Sequence, residues 1–424
     1  MKRAAPPARP EAPPSPARAF ASASIGGFLA FVVTAFAGQA MGLATWIAGA
    51  RAYGARLPLK LGWLYLASFH RVGIRLSATQ PFGFGDGPAP IPGRYDYTLR
   101  VAAFAGTILA GVVLFRAGRA AASQVGAGSW GGAAVAPGYA LPIGIGSLLV
   151  TLRFPDAGVV GVKAVAWESF AFPFAFALIV GAAGGLSTAK LRGRAARLDA
   201  WVRTGWRMFA AAIVLAFLGF VVLAGVRPDA SGAYARWIGR TGRVGALVAT
   251  HHLILLPDQS MWILAPAMGG CDTLSGGGSE VTALCLRTLT VRSGWGELAF
   301  GPAGVRTLPT PFLLFVLVPA AAVVPMAARS TTSRAVGARI VDGMASGVVF
   351  AAIVWLVAIA SRISIDNPSA IGGGALISAG PQAMKTGLLA LAWGTIGGAI
   401  GAGFPARSAQ DGLAEPAPPR PTSV

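Results

Sequence analysis

The residues of this chain that come nearest to chemistry are two adjacent histidines, His251 and His252, followed shortly by Pro257-Asp258-Gln259-Ser260. They lie in the segment 244–270, which is otherwise apolar enough for a membrane. Two histidines and a carboxylate invite a metal. Adjacent histidines, however, project about 100° apart on a helix and do not share a face as an i, i+4 pair would. No cysteine or third histidine lies near them in sequence, so no metal site is expected. A histidine that titrates near neutrality can instead relay protons, and an acid inside an apolar run is costly to bury and marks a functional site. The competing reading is a histidine bonded to a neighbouring carbonyl, with the acid capping a helix. The third histidine, His70, and the acid Glu168 occupy comparable settings. His70, His251, His252, Asp258, Gln259 and Glu168 are therefore the candidate polar intramembrane site.

Nucleophile and phosphate chemistry find no support. Gly-x-Ser-x-Gly, His-Glu-x-x-His and a Gly-Lys-Ser/Thr phosphate loop are all missing from the sequence. Nothing asks for catalysis, and no catalytic residue and no cofactor is assigned.

The elements around these residues are set by composition. Of 424 residues, 54% are hydrophobic and 12% charged. Long apolar runs with few charges read as transmembrane helices. The net charge of +20 would suggest nucleic acid in a soluble protein. Here the basic residues stand between apolar runs, where they orient helices and meet anionic lipid, and no basic patch with interleaved aromatics appears. The expected partners are the lipid bilayer and a small-molecule or ion substrate, without nucleic acid; the oligomeric state is open. Arg outnumbers Lys, and Ala, Gly and Pro abound, a bias of GC-rich bacterial genomes.

Eight apolar spans stand out, at 24–48, 98–115, 137–153, 166–188, 207–226, 311–328, 341–360 and 383–404. Their frequent small residues allow close helix approach in lipid. Two segments are neither loops nor clean spans. In 57–76, Lys60, Ser68, Arg71 and Arg75 fall on one helical stripe, which predicts a helix lying in the membrane interface. In 244–270, Pro257 breaks any single helix, and Asp258 or Ser260 would cap a short helix over 261–268 that Gly269-Gly270 ends.

Both halves follow the same order. Phe28-Leu29-Ala30-Phe31-Val32-Val33 echoes Phe217-Leu218-Gly219-Phe220-Val221-Val222. Ala52-Tyr53-Gly54-Ala55-Arg56 echoes Ala233-Tyr234-Ala235-Arg236, and Ala67-Ser68-Phe69-His70 echoes Ala249-Thr250-His251-His252. Gly87-Pro88-Ala89 and Gly301-Pro302-Ala303 each precede a Thr-Leu, and Arg153 and Arg362 close comparable spans. The reading is an all-α polytopic membrane protein of about eight transmembrane helices in two tandem parallel 4-helix repeats. Each repeat carries an additional interfacial or broken, re-entrant helical segment. The expected organisation is a disordered cytoplasmic tail 1–19, repeat 1 over 20–188, a basic cytoplasmic linker 189–206, repeat 2 over 207–404 and a disordered cytoplasmic tail 405–424.

Short loops dense in Lys and Arg, at 190–207 and 329–339, belong on the cytoplasmic side. The chain is thus expected in a bacterial cytoplasmic (inner) membrane, multi-pass, with both termini cytoplasmic. The loop 271–310 then lies outside, where its Cys271 and Cys285 would form a disulfide. Two functions follow from different classes. One is a transporter or permease with a site between the repeats; the other is a non-transporting membrane scaffold or envelope/assembly protein.

Overall fold

The computed structural model describes residues 15–50, 56–79, 95–125, 128–154, 158–188, 194–226, 250, 254–276, 279–292, 305–307, 310–330, 335–366 and 375–404. The first part of the chain forms α1 (Pro16–Thr45), a π turn (Trp46–Ala50), α2 (Leu57–Ser68), β1 (Ile74–Ala78), β2 (Tyr95–Arg100) and α3 (Phe104–Val125). It continues through α4 (Gly128–Ala133), α5 (Ala136–Leu149), β3 (Leu152–Phe154), β4 (Val159–Ala164) and α6 (Ala166–Leu186). Then come α7 (Arg194–Val226), α8 (Leu256–Ala267), β5 (Asp272–Gly276), β6 (Ser279–Cys285), β7 (Thr290–Arg292) and β8 (Val305–Thr307). A 3-10 turn (Thr310–Val316) leads into α9 (Leu317–Ser330), α10 (Val336–Ser361), β9 (Ile363–Asp366), β10 (Ala375–Pro381) and α11 (Ala383–Gly403).

Among the described residues, eight helical stretches are long and apolar enough to cross a membrane. They are Ala17–Ala48, Phe104–Gln124, Gly128–Leu149, Ala166–Leu186, Ala196–Gly219, Phe312–Arg329, Val336–Ser361 and Ala383–Gly403. The expectation of a helical, polytopic chain is met by these. The strands between them are a finding that apolar run length does not reveal. The run 98–115 shows why: its first residues, 98–100, are strand, and the helix begins only at Phe104.

The chain divides into two compact units. One comprises 1–79 and 102–190; the other comprises 80–101 and 191–424, so that β2 belongs with the second unit. The residues expected as a linker, 189–206, are in part helical, because α7 already starts at Arg194.

In the first unit, α1 packs on α2, α3 and α5, and α6 packs on α3, α4 and α5. The approach is close wherever glycines meet. A side chain on Gly181 would collide with the Gly132 carbonyl, and one on Gly132 with that of Gly181. With no hydrophobic drive between helices in lipid, such contacts supply the packing energy. Helix α2 is shorter than the stripe read over 57–76. It ends at Ser68, its Leu57, Gly62, Leu64, Leu66, Ala67 and Ser68 are buried, Arg71 turns at φ 56°, and Arg75 stands on β1. The stripe of four polar residues is therefore broken after Ser68. Strand β4 pairs with both β1 and β3, antiparallel. Alternation sends Val162 and Leu152 into the core beneath and Lys163 and Arg153 outward.

In the second unit, α7 packs on α8, α9 and α10, while α11 packs on α9 and α10. Gly343 meets Gly398 and Gly347 meets Gly394 in the same backbone-to-backbone manner. Helix α8 sits in the core: Met261, Leu264, Ala265 and Ala267 are fully buried and Trp262 nearly so. From Met261 onward the helix is apolar and offers no solvent face. It begins at Leu256 with Pro257 in its first turn, where a missing N–H leaves nothing unsatisfied. The sequence expectation of a cap at Asp258 or Ser260 is not met: the helix starts one turn earlier, and its N-cap is Leu255, without a side-chain bond. The helix ends on Gly269 at φ 97°, with Gly270 N–H donating to Ala265 O and Gly269 N–H to Pro266 O, a Schellman closure. The strand order in this unit is β2-β9-β10-β5-β6-β7-β8.

One local register is found in both units. In the first, a short helix is followed by a residue of positive φ, Arg71, three positions before the strand residue Ile74. Ile74 pairs with Ala164, the residue before the α6 N-cap Val165. In the second, a short helix is followed by Gly269 of positive φ, three positions before Asp272. Asp272 pairs with Pro381, the residue before the α11 N-cap Gln382. By this register His70 matches Met268; His251 and His252, with which the sequence pairs it, lie outside the described residues.

Candidate functional site

The turn 69–73 gathers the polar residues of the first unit. Its backbone is held by His70 N–H to Ala67 O, Arg71 N–H to Ser68 O and Val72 N–H to Ala67 O. Gly73 is gripped on both sides. Its carbonyl accepts the Val165 N–H at 2.7 Å, and its N–H donates to Glu168 Oε2 at 2.6 Å. Glu168 is the third residue of α6 and is only 2% exposed. From the first turn of α6 it reaches Gly73, the residue before β1. The bond to a carboxylate is of the stronger kind.

His70 closes the other side of the turn. Its Nε2 lies 3.0 Å from the Tyr139 hydroxyl, and its ring packs edge-on against Tyr139 and Phe176. Burial pushes the imidazole down to about pKa 3, because the charged form loses its water. Its Nδ1 is buried without a hydrogen-bond partner among the described residues.

The structure therefore brings His70 and Glu168 to one turn. Asp258 and Gln259 are neighbours in the first turn of α8, with Asp258 at 5% exposure. His251 and His252 lie outside the described residues, as do the echoed stretches 52–55, 87–89, 233–236 and 301–303. Among the described residues no three of His, Cys, Asp and Glu converge to hold a metal.

A second polar site is not legible in the sequence. Asp272, first residue of β5, is fully buried, and neither carboxylate oxygen has a hydrogen-bond partner among the described residues. Burial raises its pKa well above the usual carboxylate range, and the nearby Arg362 guanidinium offsets only part of that. Arg362 itself donates to Pro381 O at 3.0 Å and Ser378 Oγ at 2.7 Å. In sequence, Asp272 follows a cysteine and precedes a glycine run, which reads as a solvated loop. Only the pairing of Asp272 with Pro381 and Leu284 turns it inward. Just before it, Cys271 is joined to Cys285 by a disulfide with Cα atoms 4.5 Å apart.

Eight apolar helices with short strands at their ends define the class, a multi-pass membrane protein whose helices contact a lipid bilayer. Compared with protein-family models, with curated proteins and with solved structures, the chain matches none. Its function is therefore a matter of its own geometry.

Proposed function

We propose that the two units are copies of one ancestral module. We further propose that the protein is a non-transporting membrane scaffold of a bacterial envelope, holding short β-strands rigidly at the ends of its helices. Duplication is supported by the shared register, from the positive-φ residue after each short helix to the strand pair that precedes α6 and α11. The observation that carries the scaffold reading is that, within each unit, spanning helices meet with no room between them. Helices meet backbone to backbone where Gly132 faces Gly181 and where Gly347 faces Gly394, and the buried Glu168 holds the Gly73 N–H. Groups engaged in this way are not free to bind and release a substrate.

The permease reading keeps one observation in its favour. Duplicated halves that each carry a short helix beside long spans are a common transporter plan. Thiol accessibility separates the two without knowledge of a substrate. His70→Cys and Ser260→Cys would be placed in the full-length protein and probed with a membrane-impermeant maleimide in right-side-out and inverted vesicles. The native cysteines are paired and unreactive. A scaffold leaves both positions unlabelled from either side until the protein is denatured. Labelling of either position from both sides would overturn the scaffold and establish alternating access.

A further inference from the structure

One end of the first unit carries a cluster of cations. Arg75 on β1 stands directly opposite Lys163 on β4. Like charges facing across a strand pair destabilise it. Both side chains are exposed, as is Arg153 on β3, next to the buried Leu152. Lys60 of α2 donates to Thr151 O at 3.0 Å, tying the helix to the start of β3. Beside these two groups opens a pocket of about 400 Å³ lined by Lys60, Leu149, Thr151 and Arg153, of the cations only Lys60 and Arg153. Helix α2 and strands β1, β3 and β4 contain no acidic residue. Glu168, beside β4, is buried and bonded to Gly73. None of the four cations forms an ion pair among the described residues.

The depth of this cluster follows from connectivity. It lies between the end of α1 and the start of α3, and between the end of α5 and the start of α6, which is one side of the membrane for this unit. Leu149 ends a spanning helix three residues before β3, and Trp167 is the second residue of the spanning helix that follows β4. Both are largely exposed, at 81% and 64%, with Leu59 at 63%. Exposed leucine and tryptophan beside cations, at the ends of spans, is the arrangement of the headgroup layer.

We propose that this pocket binds the phosphate of an anionic phospholipid. Lys60 and Arg153 meet the phosphate, Arg75 and Lys163 extend the field, and Leu149, Leu59 and Trp167 lie along the acyl chains. Guanidinium and ammonium groups are the usual partners of phosphate oxygens, and a lipid supplies apolar contacts that a free ion does not. An anion here also relieves the opposition of Arg75 and Lys163.

Native mass spectrometry of the delipidated full-length protein, titrated with phosphatidylglycerol or phosphatidylcholine of the same chains, tests this. Each cation near the surface contributes roughly fivefold to affinity for an anionic lipid. Lys60→Gln with Arg153→Gln is expected to lower phosphatidylglycerol affinity roughly 25-fold, towards that of phosphatidylcholine. Arg116→Gln with Arg119→Gln, exposed and farther along α3, is expected to leave it unchanged. Should the first pair fail to fold, Lys163→Glu carries the test. It places opposite charges across Arg75, raises the unfolding midpoint of the lipid-free protein by roughly 1–2 °C, and abolishes the further rise that phosphatidylglycerol gives the parent. Equal affinity for the two lipids, or an unaltered phosphatidylglycerol affinity in the Lys60/Arg153 variant, overturns the proposal. Displacement of the lipid by inorganic phosphate at similar concentration would also overturn it, by showing a free-anion site.

Discussion

Glu168 Oε2 lies 2.6 Å from the amide nitrogen of Gly73, 95 residues earlier in the chain. Through that bond the first turn of a spanning helix fixes the turn that ends α2 and launches β1. The two residues are brought together by the β1–β4 ladder, whose pair Ile74 and Ala164 places Val165 and the α6 N-terminus beside Gly73.

Removing the acceptor leaves a buried N–H unsatisfied. Glu168→Ala is expected to lower stability by about 1–3 kcal/mol, and Glu168→Gln, which retains a carbonyl oxygen, by clearly less. Thermal unfolding in detergent measures both. Equal losses for the two variants would show that the carbonyl oxygen at this place is unimportant.

His70 makes stability depend on pH. Its folded pKa is depressed to about 3 against an ordinary 6.5, so below pH 6.5 the unfolded chain binds a proton that the folded one refuses. Stability is therefore full above pH 6.5 and falls as pH drops from there towards 3. The slope is at most about 1.4 kcal/mol per pH unit from this group. The unfolding midpoint at about pH 5 should lie below that at about pH 7.5, and His70→Gln should flatten the difference. A variant with an undiminished pH slope would assign the effect elsewhere.

Glycine substitutions within α10 should divide sharply. Gly347 faces the Gly394 carbonyl, and any side chain there forces α10 and α11 apart. Gly347→Val is expected to destabilise by about 3 kcal/mol or to prevent folding. Gly337, near the start of the same helix, has open space where a Cβ would stand, with nothing within 4 Å of that position. Gly337→Ala is expected to stabilise by about 0.5–1 kcal/mol through helix propensity. Expression level and unfolding midpoint of the two variants, side by side, decide the matter.

The Cys271–Cys285 bond closes a loop of sequence separation 14 beside the Schellman end of α8. A ring of that size stabilises by about 3 kcal/mol in the chain-entropy account. Cys285→Ser and a reducing agent should lower the stability of the protein by the same amount, read from the unfolding midpoint. Disulfides form and persist mainly in oxidising compartments, so the sidedness of this loop is open to test. Reporter fusions after Thr188 and after Leu289 should fall on opposite sides of the membrane, with Leu289 outside. The same side for both would remove the eight-crossing arrangement with cytoplasmic termini.

Apolar run length alone determined that the chain crosses a membrane several times, because about 20 apolar residues suffice to span hydrocarbon and nothing distant alters that requirement. Gly269-Gly270 after an apolar stretch likewise announces the end of α8, since a Schellman closure is made of residues adjacent in the chain. The strands are not legible in the same way. Residues 98–100 join a sheet through Asp366, Ile365 and Ser364, and no local pattern in an apolar run distinguishes that from the first turn of a helix. The roles of the polar residues were decided by tertiary structure for the same reason. His70 is neutral because Tyr139 and Phe176 enclose it, and Glu168 is a clamp because Gly73 arrives beside it. Asp272 has the sequence surroundings of a solvated loop, yet it is buried because Pro381 and Leu284 flank it on neighbouring strands. Burial and hydrogen-bond partners are set by contacts between residues far apart in sequence, whereas span length and helix ends are set by residues in succession.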